Sequence, residues 1–452
     1  MTPYPAYKPT GLPWLPQIPE YWEIKKLRTL LSVVSEKGHP DAPLLSVVRE
    51  RGVIIRNTED NSENHNYIPD ELTNYKYVRK GQFAMNKMKA WQGSYGISNF
   101  DGIVSPAYFV FNLKEVTKNF FNLAIRSKFY VPYFGQASDG IRVGQWDLSI
   151  PRMKEIPFAV PPPDEQAQIV RYLDSMTAKI NKLIRAKKKQ IALLQEHKQA
   201  IINQAVTKGL NPNAEMKDSG IDWLGKIPKH WTCCRCKYLF KEINIRSETG
   251  EEEHLSMSQK LGLIPDSQLD GHHLMSESYI GGKICEENDL VLNRLKAHLG
   301  VFAIAPQRGV VSPDYTILHI NSSKILPRFA EAILTSSSCR SELRVRVRGI
   351  VEGFWRLYTD DFYGITLPLP DVDEQQQILH FIDKMGAELD KCKNAYTSDI
   401  FILNEFKDRL ISSIVTGQVD ICDIPVGDFD PADLVSEAPD DIEENTNIYI
   451  KE

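Results

Sequence analysis

The sequence lacks any unbroken apolar run of the roughly 18 to 20 residues that a membrane-spanning helix requires. Its first residues, Met1 to Lys8, lack the basic and then apolar pattern of a signal peptide. The seven cysteines are odd in number and show no paired spacing, which argues against a disulfide framework and fits a reducing compartment. These absences predict a cytoplasmic protein that has no contact with a membrane.

Motifs of nucleotide-binding and catalytic proteins are also missing. There is no GxxxxGK[ST], no GxGxxG and no HExxH, and the Gly-Lys pairs at Gly225 and Gly282 are each followed by isoleucine. The Asn-Pro-Pro-aromatic motif expected of an adenine methyltransferase is absent as well. The sequence therefore predicts a protein that is not an enzyme and that binds no cofactor of its own.

The composition is that of an ordinary globular protein, with 42% apolar and 25% charged residues among 452. This length favours two or more domains. The net charge of -5 is unevenly distributed, because Asp423 to Glu452 contains ten acidic residues and one lysine, whereas the other 422 residues carry +4. A mildly basic body with an acidic tail is compatible with nucleic-acid binding.

The sequence contains one long internal repeat. Segments of the first half recur in order in the second half, at an offset of 207 to 209 residues: YKPTGLPWLPQIPEYW and MKDSGIDWLGKIPKHW, FAMNKMKAW and LVLNRLKAH, VSPAY and VSPDY, GIRVGQW and GIVEGFW, DEQAQI and DEQQQI. This period is far above the roughly 20 to 50 residues of solenoid repeats. It predicts two similar domains related by pseudo-symmetry.

One cysteine-rich stretch of the second copy resembles a metal site at first sight. Cys233, Cys234 and Cys236 follow His230, but the corresponding segment of the first copy, around Ile24, is an ordinary alternating strand. No second ligand pair follows at a suitable spacing, so we expect no metal site.

Each copy begins with short alternating runs and ends in a long helix. Strands are predicted at residues 44–48, 52–55, 108–113 and 315–320. Neither glycine nor proline occurs between Pro163 and Gly209, which predicts a helix of roughly 60 Å with Asp164 as its N-cap and Gly209 as its C-terminal stop. The predicted fold class is α+β, with two tandem α/β domains, each followed by a long helix.

Apolar residues recur on both helices in steps of four and three, the pattern of a coiled-coil seam. We expect the two helices to pair as an antiparallel coiled coil with a domain at each end. The predicted interface residues are Ile169, Leu173, Met176, Ile180, Leu183, Leu194 and Ile201 on the first helix, and Ile378, Ile382, Met385, Leu389, Cys392, Tyr396, Leu403, Phe406 and Leu410 on the second.

Polar residues interrupt the seam near its middle. They are Lys187 and Gln190 on the first helix and Asp399 on the second. Either these residues face solvent where the helices diverge, or they form a polar layer that fixes orientation and register. In an antiparallel pair the central positions would meet each other.

Together, these features resemble the specificity subunits of type I restriction-modification systems. The resemblance extends from Gly11 to about Asp420, and depends on the paired motifs above and on the PPPDEQ and VDEQQQI segments that begin the helices. It implies target recognition domains at 1–163 and 210–372, spacer helices at 164–209 and 373–418, and an acidic C-terminal tail at 419–452.

The resemblance also implies a function. The two domains would bind the halves of a bipartite, asymmetric site in double-stranded DNA, and the helix pair would set the gap between them. Two modification subunits would carry the S-adenosylmethionine site and methylate adenine, and restriction subunits would add ATP- and Mg-dependent translocation and cleavage. This chain would supply recognition alone.

Basic and polar residues near the shared motifs are the candidates for DNA contact, because lysine and arginine bind phosphates and loop side chains reach base edges. The predicted DNA-binding residues are Asn86, Lys87, Lys89, Arg142, Asn293, Arg294, Lys296, Arg344, Arg346 and Arg348. The alternative for each charged residue is a solvated surface charge. Trp146 and Trp355 occur in both copies, which favours a place in the domain core over base stacking, and the same objection applies to Asn86 and Asn293.

Two other functions compete with DNA recognition. A fused restriction-methylation enzyme is disfavoured by the missing methyltransferase motif. A coiled-coil scaffold that binds only proteins would not need two large, loop-rich domains that differ most between their shared motifs. The acidic tail is expected to be a solvated end, with a regulatory or partner-binding role as the alternative.

Overall fold

The structure, a computed structural model, describes residues 2–57, 71–140, 146–258, 261–268, 279–349 and 355–434. The described residues divide into two units: unit 1 comprises those within 2–187 and 398–434, and unit 2 comprises those within 188–397. In the part of the chain described, no helix is both long and apolar enough to cross a membrane.

Unit 1 is a mixed α/β domain. Its strands are β1 (Tyr7–Leu12), β2 (Leu15–Pro19), β3 (Glu23–Lys26), β4 (Leu31–Val34), β5 (Leu45–Val48), β6 (Gly52–Ile55), β7 (Lys76–Val78), β8 (Phe83–Asn86), β9 (Tyr95–Ile97), β10 (Gly102–Val104), β11 (Tyr108–Leu113), β12 (Ser138–Asp139), β13 (Asp147–Leu148) and β14 (Pro157–Val160). Its helices are α1 (Leu27–Leu30), α2 (Lys118–Ile125), α3 (Val131–Gln136), α4 (Ile150–Lys154) and the first part of α5 (Pro163–Lys208).

An antiparallel sheet in the order β4-β11-β8-β9 positions the functional loops of unit 1. Side chains alternate across a strand, so the sheet has two apolar faces. Phe83 and Phe111 face the main core, whereas Ala84 and Val110 face a smaller core under the β5–β6 hairpin. The strands predicted at 52–55 and 108–113 are confirmed as β6 and β11, and the one predicted at 44–48 begins one residue later.

Unit 2 has the same kind of architecture. Its strands are β15 (Met216–Asp218), β16 (Lys226–Pro228), β17 (Thr232–Arg235), β18 (Phe240–Ile243), β19 (Leu255–Ser258), β20 (Gly262–Pro265), β21 (Lys283–Cys285), β22 (Leu290–Asn293), β23 (Phe302–Ile304), β24 (Gly309–Val311), β25 (Tyr315–Ile320) and β26 (Thr366–Leu369). Its helices are α6 (Pro327–Leu334), α7 (Ser337–Arg346), α8 (Thr359–Tyr363) and the first part of α9 (Val372–Val415).

The central sheet of unit 2 has the order β18-β25-β22-β23, the counterpart of the unit 1 sheet. Leu290 and Leu318 face the main core, and Val291 and Ile317 face the smaller one. The strand predicted at 315–320 is confirmed as β25. Cys233 and Cys234 lie on β17, as expected from the strand in the first copy.

The long helices α5 and α9 have 46 and 44 residues, so α5 is about 70 Å long. The prediction of Asp164 as N-cap is wrong, because the helix begins at Pro163 and Asp164 lies inside its first turn. Proline suits this first position, where its missing N–H would have no partner in the helix. Gly209 follows the helix with a φ of +73°, as predicted for a C-terminal stop.

Helices α5 and α9 pack together. In unit 1, the Lys407 Nζ lies 3.3 Å from Asn181 Oδ1, and the Lys187 Nζ lies 2.7 Å from Asp399 Oδ2. Because the residue numbers rise on one helix and fall on the other, these two segments run in opposite directions. Two of the three polar residues that interrupt the seam, Lys187 and Asp399, therefore meet as an ion pair.

The chain continues beyond α9 as residues 419–434, which we call the C-terminal strap. Ile421 is fully buried, and Ile424 and Val426 pack against the main core of unit 1. The Gln168 side-chain amide on α5 donates to the Ile424 carbonyl at 2.9 Å. The prediction of a solvated acidic end is thus wrong for the described part of the tail, since apolar residues alternate with its acids.

Candidate nucleic-acid interface

In unit 1 a tight turn follows β8 and carries three of the predicted DNA-binding residues. Asn86 holds this turn, because its Oδ1 accepts the Met88 N–H at 3.1 Å and its Nδ2 donates to the Tyr108 hydroxyl at 3.2 Å. Lys87 forms an ion pair with Asp147 at 2.6 Å, whereas Lys89 is exposed. The turn thus carries one lysine in an ion pair, Lys87, and one exposed lysine, Lys89.

Trp146, the last residue of the repeated GIRVGQW motif, lies beside this turn. Trp146 packs on Trp91 with ring centroids 5.0 Å apart, and the Leu148 N–H donates to the Lys87 carbonyl at 3.2 Å. Both tryptophans are half-buried. The structure therefore brings two separate sequence motifs together at one place, while Arg142 itself lies outside the described residues.

Unit 2 builds the same turn after β22. Asn293 Oδ1 accepts the N–H groups of Leu295 at 3.2 Å and Lys296 at 3.3 Å. Burial raises the pKa of Tyr315, and a hydrogen bond from Asn293 partly offsets this. Asn86 and Asn293 thus have a structural role within each domain, which explains why both copies contain them.

Backbone contacts hold Arg294 of this second turn. Its Nε donates to the Asp314 carbonyl at 2.8 Å, and its own carbonyl accepts the Leu357 N–H at 3.1 Å. Lys296, like Lys89, is exposed. The described side chains offer neither of these two lysines an acidic partner within ion-pair distance.

The aromatic pair beneath the turn differs between the units. His298 takes the place of Trp91 and packs edge-on against Trp355, at 5.4 Å and 73°. Burial, together with the nearby charge of Arg344, lowers the pKa of His298 below its ordinary value. Arg344 is exposed in the last turn of α7, next to the turn that carries Lys296.

The other two predicted arginines of unit 2 have acidic partners. Arg346 Nε lies 2.5 Å from Glu342, and Arg348 pairs with Asp361. Sequence reasoning identified these cations but missed the acids that hold them. Glu342 lies four residues before Arg346, a spacing that favours ion pairs on a helix, so that partner could have been found.

The coiled-coil residues vary in burial. Ile169, Leu173, Ile180, Ile378 and Leu410 are buried. Leu183 and Phe406 are 52% and 45% exposed, Cys392 is exposed, and the other predicted interface residues are half-buried. Phe401 and Ile402, which lie off the heptad pattern, are more exposed still, at 66% and 61%. The helix pair therefore leaves an apolar surface uncovered in unit 1.

Solved structures are similar to this chain. One solved structure is 14% identical to this chain, with a TM-score of 0.59 over 89% of this chain and 99% of that chain. Its subject is given as the structural basis of complex assembly and conformational transition of the type I R-M system. The HsdS subunit from Thermoanaerobacter tengcongensis is 14% identical over 89% and 98%, with a TM-score of 0.45. The type I restriction-modification S subunit from M. genitalium is 12% identical over 88% and 96%, with a TM-score of 0.30.

Residues 19–193 match a family model described as the type I restriction modification DNA specificity domain. The match covers most of the first repeat and continues into α5. The resemblance inferred from the repeated motifs is therefore confirmed.

Proposed function

We propose, from the match of residues 19–193 to the type I restriction modification DNA specificity domain, that the chain is the non-catalytic specificity subunit of a cytoplasmic type I restriction-modification complex. Its target recognition domains, residues 1–163 and 210–372, each bind one half of a bipartite, asymmetric site in double-stranded DNA. The spacer helices, residues 164–209 and 373–418, pair as an antiparallel coiled coil and set the gap between the halves.

One observation carries this proposal. Each unit has an asparagine-held turn with an exposed lysine, Lys89 or Lys296. Beside each turn lies the tryptophan that ends the repeated motif, Trp146 or Trp355. Exposed lysines on preformed turns suit phosphate contacts, which position a protein on DNA without selecting a sequence. The loops that differ between the copies would then supply contacts to the bases.

The partners supply the chemistry. Two modification subunits bind S-adenosylmethionine and methylate adenine, and restriction subunits use ATP and Mg for translocation and cleavage. The exposed apolar side chains of Leu183, Phe401 and Ile402 favour docking of a partner helix on this segment of the helix pair.

Methylation mapping tests the proposal. DNA from cells that express this chain with its cognate modification subunit is compared, by long-read sequencing, with DNA from cells that express the modification subunit alone. We expect a split motif with a fixed gap, methylated on both strands only when this chain is present. No difference between the two samples, with the modification subunit shown to be folded and bound, would overturn the proposal in favour of a protein-binding scaffold.

A further inference from the structure

The C-terminal strap is hydrogen-bonded to α5 at several positions along the helix. Side chains of α5 donate to strap carbonyls as follows: Gln168 to Ile421 and Ile424 at 3.4 and 2.9 Å, Ser175 to Gly427 at 3.2 Å, and Asn181 to Asp433 and Leu434 at 3.1 and 3.3 Å. Arg185 also pairs with the Asp433 carboxylate. From Gln168 to Asn181 these donors span about 20 Å of the helix.

The donors in the middle of this row are buried polar groups. Ser175 and Asn181 are only 2% and 5% exposed. A buried amide or hydroxyl is costly unless it is hydrogen-bonded, and the strap carbonyls provide that partner. These α5 side chains, Gln168, Ser175 and Asn181, which we call the seat of the strap, therefore suit the binding of an extended chain along the helix.

The corresponding positions on α9 are built differently. At an offset of 209 residues, Ser175 corresponds to Lys384 and Asn181 to Asp390. Asp390 forms an ion pair with Lys198 at 2.7 Å in unit 2, just as Asn181 accepts from Lys407 in unit 1. The asparagine keeps the contact with the lysine and adds two N–H donors, which a carboxylate lacks. The two donors Ser175 and Asn181 are thus particular to α5, and α9 has no equivalent of them at these positions.

We propose that the strap is a register clamp on the helix pair, with Asn181 as its main positioning residue. The strap continues from α9 through the turn at Gly417, so it must move when α9 moves along α5. A slip of one helical turn, about 5.4 Å, would carry every strap carbonyl away from its donor on α5. The inference rests on the proposed function: by fixing this register, the clamp fixes the gap between the two DNA half-sites.

The test uses the full chain assembled with its modification subunit and a DNA library in which the half-sites are separated by the native gap, or by one base pair more or less. Asn181→Asp removes the two donors and places a carboxylate near Asp433, but leaves a partner for Lys407. We expect the ratio of methylation at the native gap to methylation at the altered gaps to fall at least tenfold. The half-site sequences should remain unchanged.

Two matched controls separate the clamp from a general effect on the helices. Asp390→Asn makes the reverse exchange in unit 2, where asparagine can still accept from Lys198, and it should keep the wild-type ratio. A chain that ends at Leu434 retains the whole strap and should also keep that ratio. A chain that ends at Val426 loses the contacts of Gly427, Asp433 and Leu434, and should behave like Asn181→Asp.

The outcomes are distinct. A lower melting temperature with an unchanged gap ratio, in both Asn181→Asp and the chain ending at Val426, would overturn the clamp and leave only a stabilising role for the strap. In that case wild-type protein would still methylate a split motif, and the proposed function would stand. If wild-type protein showed no split motif, both the proposed function and the clamp would fail.

Discussion

A buried carboxylate joins two residues that flank the first strands of unit 1 to the start of α5. Glu165 is 7% exposed and accepts the Trp22 indole N–H at 3.0 Å and the Tyr4 hydroxyl at 2.5 Å. Glu374 accepts the Trp231 indole N–H at 2.8 Å in the same way in unit 2. Both glutamates lie in the first turn of a long helix, where the helix dipole favours a negative charge.

We expect Glu165→Gln to lower the free energy of unfolding of unit 1 by about 2 kcal/mol, because the two hydrogen bonds use both carboxylate oxygens and glutamine has only one oxygen that can accept. Chemical denaturation followed by tryptophan fluorescence measures this. Asp164→Asn is the control, because Asp164 is an exposed acid in the same helical turn and its replacement should have little effect. Equal losses for the two variants would contradict the role assigned to Glu165.

Two neighbouring carboxylates of unit 2 should contribute to its stability with opposite dependences on pH. Burial raises the pKa of Glu331, whose carboxylate accepts the Ile304 N–H at 3.2 Å. The hydrogen bond and charge of Arg328 lower the pKa of Asp383. A raised pKa contributes stability that is present below the usual pKa of glutamate and lost as the pH rises through the raised value. A lowered pKa contributes stability that is lost as the pH falls through the lowered value.

Glu331→Gln should therefore raise the melting temperature at neutral pH, since the amide oxygen can still accept the Ile304 N–H without a buried charge. Asp383→Asn should lower it. Both differences should shrink as the pH falls, that of Glu331→Gln by about pH 4. Melting curves from about pH 2 to 8 measure both, because the change for Asp383 falls below the ordinary pKa of aspartate, about 3.9. A Glu331→Gln variant that is less stable than wild type at pH 7 would contradict the expected sign.

At the scale of the element, the helix pair has both a buried seam and an uncovered apolar surface. Phe401 is 66% exposed, so Phe401→Ser should leave the melting temperature of the isolated chain unchanged. We expect the same variant to weaken binding to the modification subunit at least tenfold, as for an aromatic residue central to an interface. Titration of one subunit with the other measures this. Ile414→Ser, at a fully buried position, is the contrasting variant and should unfold unit 1.

The elements also differ in how well the sequence predicts them. The strands at 52–55, 108–113 and 315–320 were predictable because alternation of apolar and polar residues reports which face is buried. The interrupted seam left two alternatives open, solvent-facing residues or a polar layer, and the ion pair of Lys187 with Asp399 agrees with the second. Asn86 could not be recognised as a turn residue, because its partners, the Met88 N–H and the Tyr108 hydroxyl, depend on the folded sheet. The seat of the strap was missed for the same reason, since its donors bind backbone carbonyls, which any sequence provides.

At the scale of the whole molecule, simultaneous binding by both units has a measurable signature. The logarithm of the binding constant falls as the logarithm of the salt concentration rises, because each lysine that neutralises a phosphate releases counterions. Loss of one such lysine makes this negative slope shallower by about one. We expect Lys89→Ala and Lys296→Ala each to make the slope of the assembled complex shallower by about one, and the double variant by about two. Fluorescence anisotropy over a salt series measures this. A slope that responds to only one of these lysines would show that one unit alone makes such a contact.

The division of the chain into units also has a consequence for synthesis on the ribosome. The main core of unit 1 includes Leu410, Ile414 and Ile421, and the Asp420 N–H bonds to the Thr2 carbonyl at 2.9 Å. In the sequence, the described residues of unit 2 all lie between the two parts of unit 1. The residues that complete the core of unit 1 are therefore translated after those of unit 2, so the strands of the first part of unit 1 cannot close their core until Ile421 has emerged.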